Sequence, residues 1–302
     1  MTHKIFYSTD TNVSKFVFEK ENDIAVEAVL YRYNSYKQRT VICCSTQCGC
    51  PVGCTFCGTG KFFKRNLTCN EIVEQVQTAL STIDCDINEI EKFQIMFMSM
   101  GEPFLNYSNL KDAIIVLNKL YPNAQLLVST SAPVAIRKHL WDFIQLSQGI
   151  DKIGIQFSVH ESNFIDRDKL IPTPTLTPSA IGEIGESWAS YVGRKPFFNY
   201  CVHEHNSTER NVEELLKSFD PDVWECTLSV ICEKDSTMQN AINDKLDLIK
   251  SFSKKMADAG YSLRVFNPAG QDDIGGGCGQ LWYFQEWLKS IKKEDYDKER
   301  FA

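Results

Sequence analysis

The chain has 302 residues, of which 43% are hydrophobic and 24% charged, and its net charge is −7. This composition is typical of a globular protein and argues against intrinsic disorder, and no apolar run approaches the roughly 18 residues that a membrane-spanning helix needs. The acidic charge excludes a general attraction to nucleic acid, so such a partner would need local basic patches, for which Lys61, Lys64, Arg65 and residues 137–139 are the candidates.

Residues 1–39 form the first predicted unit. The opening stretch has no continuous apolar segment, so we expect no signal peptide and a cytoplasmic protein whose twelve cysteines stay mostly reduced. Residues 15–33 indicate a β-hairpin that turns at residues 20–24. We therefore predict a short N-terminal β-hairpin extension, followed by a second unit over residues 40–302.

Seven short runs after this extension are predicted strands. Each is rich in β-branched or aromatic residues and apolar at consecutive positions, as expected for strands buried on both faces. The runs are residues 40–45, 93–100, 124–130, 152–159, 196–202, 225–231 and 261–267.

Amphipathic helices are predicted between several of these strands. The helix over 68–80 opens with a capping box formed by Thr68 and Glu71, and the helix over 241–260 ends at Gly260. Residues 109–120 and 211–219 show the same helical spacing of apolar positions. Alternating strands and helices indicate an α/β protein with a parallel sheet, and we predict a partial (βα)6 TIM-like barrel with its site at the carboxyl ends of the strands.

Six cysteines stand between residues 43 and 57, in the stretch CCSTQCGCPVGCTFC. Among them, Cys50, Cys54 and Cys57 follow the spacing C-x3-C-x2-C in the loop directly after the first predicted strand. Three thiolates from one loop can hold three irons of a [4Fe–4S] cube and leave the fourth iron open to chelate S-adenosylmethionine. A structural zinc site normally takes four ligands in two separated pairs, and a complete electron-transfer cluster takes a fourth cysteine. The spacing favours the open cluster over zinc or incidental thiols.

Polar or glycine residues end the next three predicted strands, where a barrel enzyme keeps its ligand. Each of them alone is more simply explained as a capping hydroxyl or a buried histidine. Together they predict contacts to S-adenosylmethionine at Gly101, Glu102, Ser129, Ser158, Val159 and His160.

The combination of segments resembles the class A radical S-adenosylmethionine methyltransferases, the RlmN and Cfr family, which methylate adenosine carbons in RNA. The matching segments are VEAVL, CCSTQCGCPVGCTFCGTGK, RNLTCNEIVEQV, MSMGEPFLNY, VSTSAP, FSVHESN with RDKLIP, and QDDIGGGCGQL. The resemblance implies a [4Fe–4S] cluster and S-adenosylmethionine as cofactors, rRNA or tRNA as substrate, and an electron donor such as flavodoxin or ferredoxin. We expect a monomer without a membrane partner.

The resemblance also implies roles for three residues outside the cluster. Cys278 matches the cysteine that carries the methyl group, and Cys43 matches the second catalytic cysteine, which releases the product from a covalent protein–RNA adduct. Glu27, in VEAVL, matches the base that removes the ring proton. A structural cysteine at 278 and a surface glutamate at 27 are the alternatives.

Three departures from the family concern how RNA and S-adenosylmethionine are held. The sequence begins at the hairpin, without the family's N-terminal helical domain. The stretch SVICEKDSTMQN replaces an Asn-Pro loop, and NPAGQDDI lacks a basic residue. The alternatives are a radical methyltransferase acting on a free nucleotide or small metabolite, and a non-catalytic Fe–S or zinc-binding protein.

Overall fold

The computed structural model describes residues 3–20, 24–230, 246–266, 274–277 and 281. Within these residues the strands are β1 His3–Tyr7, β2 Val13–Lys20, β3 Ile24–Tyr33, β4 Ser35–Cys44, β5 Gln47–Gly49, β6 Phe63–Asn66, β7 Lys92–Phe97, β8 Ala124–Thr130, β9 Ile153–Ser158, β10 Phe197–Val202, β11 Glu225–Val230 and β12 Ser262–Val265. The α-helices are α1 Cys69–Leu80, α2 Tyr107–Leu120, α3 Arg137–Gly149, α4 Phe164–Leu170, α5 Pro178–Val192, α6 Glu209–Leu216 and α7 Leu246–Asp258.

Ten strands form one sheet in the order β1-β2-β3-β4-β7-β8-β9-β10-β11-β12, while β5 and β6 pair separately. The neighbours from β4 through β12 are all parallel. Parallel neighbours need long crossovers, and each crossover here contains at least one α-helix. The predicted α/β class and the seven predicted strands are therefore confirmed.

The N-terminal strands continue the same sheet. Strands β2 and β3 form the predicted hairpin, with Lys20 opposite Ile24, and β3 pairs antiparallel with β4. Strand β1 also pairs antiparallel with β2, which the sequence did not predict. The extension thus covers the edge of β4 with three antiparallel strands.

Helix boundaries agree with the sequence where capping residues mark them. At the start of α1, the Thr68 hydroxyl accepts a hydrogen bond from the Glu71 backbone N–H, and the Glu71 carboxylate accepts one from the Thr68 N–H. After α7, Gly260 has a φ of 97°, a conformation that favours glycine. The predicted residues 241–245 lie outside the described ranges.

Helices α3, α4 and α5 were not predicted. Helix α5 contains Gly182 and Gly185, which lower helix propensity. A Cβ at Gly185 would lie 1.9 Å from the Trp224 ring, and one at Gly182 would lie 2.0 Å from the Ser218 carbonyl oxygen. Close packing therefore requires glycine at two positions where local propensity argues against a helix.

Alternate residues of the parallel strands face opposite sides of the sheet. On β7, Phe93, Ile95 and Phe97 are buried in the core shared with the helices, whereas Gln94 and Met96 line a central cavity. Among the described residues, none of the helices is long and apolar enough to span a bilayer.

Candidate active site

One cavity of about 590 Å³ lies on the inner side of the parallel strands. Its volume falls within the roughly 300–1,000 Å³ that is usual for small-molecule sites. Cysteines and small polar residues line it where the parallel strands end, and basic residues line it where they begin. The middle is apolar, with Val41, Met96 and Leu127 in its wall.

The loop after β4 brings the three predicted cluster cysteines to this cavity. Cys50, Cys54 and Cys57 all line its wall and are partly buried. The Cys50 N–H donates to the Phe62 carbonyl at 2.8 Å, and the Cys57 N–H donates to the Cys54 carbonyl at 3.1 Å. These backbone bonds fix the loop, so the three thiols are positioned by main-chain geometry.

The thiol environment fits a cluster. Burial raises the pKa of Cys50 to about 12 and holds the pKa of Cys54 well above its usual range, and the neighbouring cysteines add to both shifts. A cationic iron centre would reverse this preference, because metals bind thiolates. Among the described residues no three His, Cys, Asp or Glu side chains converge on a single metal ion. Three thiols from one loop at the wall of one cavity suit a [4Fe–4S] cube whose fourth iron has no protein ligand.

The end of β7 approaches the cavity through its backbone. Gly101 has a φ of 99°, and a Cβ there would lie 2.5 Å from Gln47 Cβ, so glycine is required. The Glu102 carboxylate accepts hydrogen bonds from the Thr130 hydroxyl at 2.6 Å and from the Ser131 N–H and hydroxyl at 2.8 Å each. The Glu102 side chain therefore joins the ends of β7 and β8.

The ends of β8 and β9 contribute the remaining predicted cofactor residues. Ser129, Ser158 and His160 line the cavity, whereas the Val159 side chain is fully buried in the core. The His160 ring packs edge-on against Phe56 at 5.4 Å. Its buried Nδ1 has no hydrogen-bond partner among the described residues. Burial lowers the pKa of His160 to about 3, so the ring is neutral and keeps a nitrogen available to a ligand.

Two further polar residues at this end of the cavity were not predicted. Asn199 on β10 and Ser229 on β11 both line the wall, and the Ser229 hydroxyl donates to Asn199 Oδ1 at 2.9 Å. The Asn199 carbonyl accepts from the His160 N–H at 3.1 Å. Asn199 interrupts an otherwise apolar strand, which was the available sequence signal, whereas Ser229 lies on a strand that also carries Glu225 and Thr227.

Arg167 on α4 was also missed, although its guanidinium organises the strand ends. It donates to the carbonyl oxygens of Ser131 at 2.6 Å, Ser158 at 3.0 Å and Val159 at 3.1 Å. Its remaining partners are the Leu176 carbonyl and the Thr175 hydroxyl. One buried side chain thus fixes the ends of both β8 and β9.

Replacing Arg167 with alanine is expected to destabilise the apoprotein by more than about 3 kcal/mol, because each buried acceptor left unsatisfied costs about 1–3 kcal/mol. Arg167→Lys should recover little, since one ammonium cannot reach acceptors spread over two strands. Urea unfolding measures both effects. The matched control is Arg210→Ala, which removes an exposed arginine. A loss below about 1 kcal/mol for Arg167→Ala would contradict this role.

Cys43 lies in the same cavity as the cluster cysteines. It stands opposite Val29 of β3 and is 7% exposed. Glu27 is on the same face of β3, two residues before Val29, but its carboxylate is fully buried and pairs with Lys15 Nζ at 3.4 Å. The structure therefore brings Cys43 to the cavity but does not place the Glu27 carboxylate in its wall.

Cys278 lies outside the described residues, but residues on both sides of it are described. Ile274 and Leu281 pack in one small apolar cluster with Cys43 and Val29. Gly276 and Gly277 line the cavity. The Tyr31 hydroxyl donates to the Gly276 carbonyl at 2.9 Å, and Lys15 Nζ donates to that of Gly275 at 3.4 Å. The N-terminal strands thus hold the segment that precedes Cys278.

Comparison with known proteins decides the family. No protein-family model matches the chain. The probable dual-specificity RNA methyltransferase RlmN of Dictyoglomus turgidum is 30% identical over 278 residues, which cover 90% of this chain and 76% of the relative. The chain belongs to the RlmN family. The RlmN relative of Staphylococcus carnosus is 29% identical over 281 residues, which cover 88% of this chain and 71% of the relative.

A solved structure supports the same family for this RlmN-family chain. A radical S-adenosylmethionine methyltransferase from Sphaerobacter thermophilus superposes with a TM-score of 0.75 and 26% identity, covering 93% of this chain and 81% of that protein. The resemblance inferred from the sequence is confirmed. RlmN-family membership implies a [4Fe–4S] cluster and S-adenosylmethionine as cofactors.

Proposed function

We propose that this RlmN-family chain methylates an sp2 carbon of adenosine in RNA, at C2 or C8, through a methyl-cysteine and a covalent protein–RNA adduct. One observation carries the proposal. The cavity that holds the three cluster cysteines also holds Cys43, which packs with Ile274 and Leu281 on either side of Cys278. The relatives named as RNA methyltransferases support the substrate class.

Cys50, Cys54 and Cys57 would hold the cluster, and S-adenosylmethionine would lie along the strand ends. Bound there, the two cofactors supply a methyl group and a carbon-centred radical. The unpartnered Nδ1 of His160 and the cavity-facing Ser129 and Ser158 support this placement. The backbone at Gly101 and Glu102 would complete it. The Val159 side chain lies in the core, and its N–H and carbonyl are already hydrogen-bonded, so a Val159 contact remains a prediction.

The thiols would act in sequence. Cys278 as a thiolate would accept the methyl group, with S-adenosylhomocysteine as the leaving group. Transfer of one hydrogen atom from this methyl group to the cofactor-derived radical would let its carbon bond to the adenine ring, and the adduct would return one electron to the oxidised cluster as the ring loses its proton. Glu27, after leaving its pair with Lys15, would accept the ring proton. The Cys43 thiolate would attack the Cys278 sulfur, and the carbon would leave with the bonding electron pair and take up a proton. A dithiol reductant would return the two electrons that restore both thiols.

The finer architectural predictions also belong here. We propose that the parallel strands form a partial (βα)6 barrel over residues 40–302, preceded by the extension of residues 1–39. Their shared cavity supports this, because it is lined from β4 through β12. We propose a monomer in a cytoplasmic, reducing compartment, reduced by flavodoxin or ferredoxin.

The test is anaerobic reconstitution with S-adenosylmethionine, unmodified RNA and a one-electron reductant such as reduced flavodoxin. We expect one methyl group on Cys278 by peptide mass spectrometry and methyladenosine in the RNA by nucleoside analysis. Cys278→Ala should abolish both, whereas Cys85→Ala, at a partly exposed position away from the cavity, should retain both. A protein that takes up no methyl group contradicts enzymatic function. Methyl uptake without RNA modification contradicts the RNA assignment and favours a free nucleotide or small metabolite.

A further inference from the structure

Five basic side chains line the cavity at the end opposite the cluster cysteines. They are Arg39, Lys92, Arg194, Lys195 and Arg264, and together they form what we call the cationic mouth. Arg39 stands opposite Lys92 in the register of β4 and β7, at the start of β7. Arg194 and Lys195 lie three and two residues before β10, and Arg264 lies on β12. The beginnings of the parallel strands thus gather positive charge from positions far apart in the chain.

These cations have few opposite charges near them. Within the described residues, Arg264 pairs with Glu225 at 3.4 Å, and no carboxylate lies within 4 Å of the other four. Burial lowers the pKa of Lys92, and repulsion from Arg39 and Arg264 lowers it further. These positive charges lie close together although the net charge of the whole chain is −7. A cavity end at which cations outnumber the nearby carboxylates favours an anionic ligand.

Aromatic rings lie among these cations. The Arg39 guanidinium stands 4.2 Å from the centre of the Tyr33 ring, and the Arg264 guanidinium stands 4.3 Å from that of Phe197. Both rings line the cavity, and Phe266 does so as well. Basic groups that hold phosphates, combined with aromatic and guanidinium planes that stack on bases, are how proteins bind single-stranded RNA. The chemistry of the mouth therefore favours a nucleotide chain over a simple anion.

The position of the mouth also suits an RNA substrate. The cluster cysteines and the polar strand ends occupy the other end of the cavity, where the cofactors would lie. Cys43 is on β4 between the two ends, four residues beyond Arg39 and on the same face. The two basic patches noted in the sequence, around Lys64 and Lys138, do not line the cavity.

We propose that the cationic mouth binds the phosphates that flank the target adenosine, so that the base enters between the strand beginnings and reaches Cys43 from that side. This inference rests on the proposed function and names the surface through which the substrate arrives. Arg194 also donates to the carbonyls of Asp151 and Ile153, so it stabilises the start of β9 and is left out of the variants below. Lys92 and Lys195 are exposed and available for phosphates, and Arg264 is exposed beside its partner Glu225.

The test compares RNA binding by two triple variants of the reconstituted holoenzyme. Lys92→Gln/Lys195→Gln/Arg264→Gln removes charge from the mouth, and Lys217→Gln/Lys250→Gln/Lys254→Gln removes equal charge from α7 and the end of α6. The probe is a labelled RNA hairpin with adenosines in its loop. We expect the mouth variant to bind about tenfold or more weakly and to lose about two units of slope in a plot of log affinity against log salt. The control should match the unsubstituted protein.

The remaining outcomes separate this proposal from the proposed function. If both variants bind RNA equally weakly, or if the mouth variant binds as tightly as the unsubstituted protein, the cationic mouth is not the phosphate-binding surface. The protein would still bind RNA in either case. No RNA binding by the unsubstituted protein overturns the RNA substrate itself. Adenosine monophosphate is tested in the same way. If it binds as tightly as the hairpin, with a slope near one in the plot of log affinity against log salt, the substrate is a free nucleotide, and both the RNA substrate and the cationic-mouth proposal are wrong. Methyl uptake on Cys278 without RNA verifies that each variant is folded, and Lys92→Gln alone provides a milder variant.

Discussion

A Cys43→Ala enzyme is expected to become covalently bound to RNA and to stay bound. The Cys43 thiol lies in the cavity wall, and among the described cysteines it is the one that packs in the apolar cluster with Ile274 and Leu281, on either side of Cys278. Methylation of Cys278 and addition to the base do not need Cys43. We therefore expect product release to fall about a thousandfold or more, with an RNA adduct on most protein molecules. Denaturing gel electrophoresis after incubation with labelled RNA measures the adduct.

Cys44→Ala is the matched control for this prediction. Cys44 adjoins Cys43, but its side chain faces the hydrophobic core, where its thiol approaches the Met96 carbonyl at 3.7 Å. The same chemical change one residue away should lower stability slightly and leave product release intact. Release by Cys43→Ala at the rate of Cys44→Ala would contradict the resolving role of Cys43.

The second large effect is expected at the cluster loop. Cys57→Ala should reduce the iron content of reconstituted protein from roughly four atoms per chain toward zero, because two remaining loop thiolates cannot hold a cube whose fourth iron has no protein ligand. Radical formation would stop, and no methyladenosine should form. Iron analysis and nucleoside mass spectrometry measure the two losses independently.

Cys69→Ala provides the comparison for that experiment. Cys69 begins α1, and it does not line the cavity. Full iron content and activity in Cys69→Ala, beside the loss in Cys57→Ala, would distinguish cluster ligation from general thiol chemistry. Full iron content in Cys57→Ala would refute the assignment of the three ligands.

Local patterns in the sequence predicted much of the fold. The capping box of Thr68 and Glu71 marked the start of α1, and consecutive apolar residues marked the parallel strands. Helix α5 was not predicted because its glycines lower helix propensity. Gly185 is needed there because the Trp224 ring, which is distant in sequence, leaves no room for a Cβ. Strand β1 was not predicted because its sequence is short and its formation depends on pairing with β2.

Residues of the candidate site that are close in sequence could be predicted to lie together. Cys50, Cys54 and Cys57 belong to one loop, and their spacing alone indicated a cluster. The buried pair of Lys15 and Glu27, the contacts of Arg167 and the cationic mouth join residues that only the folded sheet brings together. No local spacing encodes such contacts, since they depend on strand register and on side-chain burial.

The three antiparallel strands beside β4 have a consequence for any attempt to shorten this protein. A version starting at residue 40 would leave the peptide groups of β4 without their partners on β3, and a bare edge of this kind recruits strands from other molecules. It would also remove Val29, the neighbour of Cys43 on β3, and the Tyr31 and Lys15 side chains that donate hydrogen bonds to the segment before Cys278. We expect such a truncated chain to self-associate into inactive aggregates.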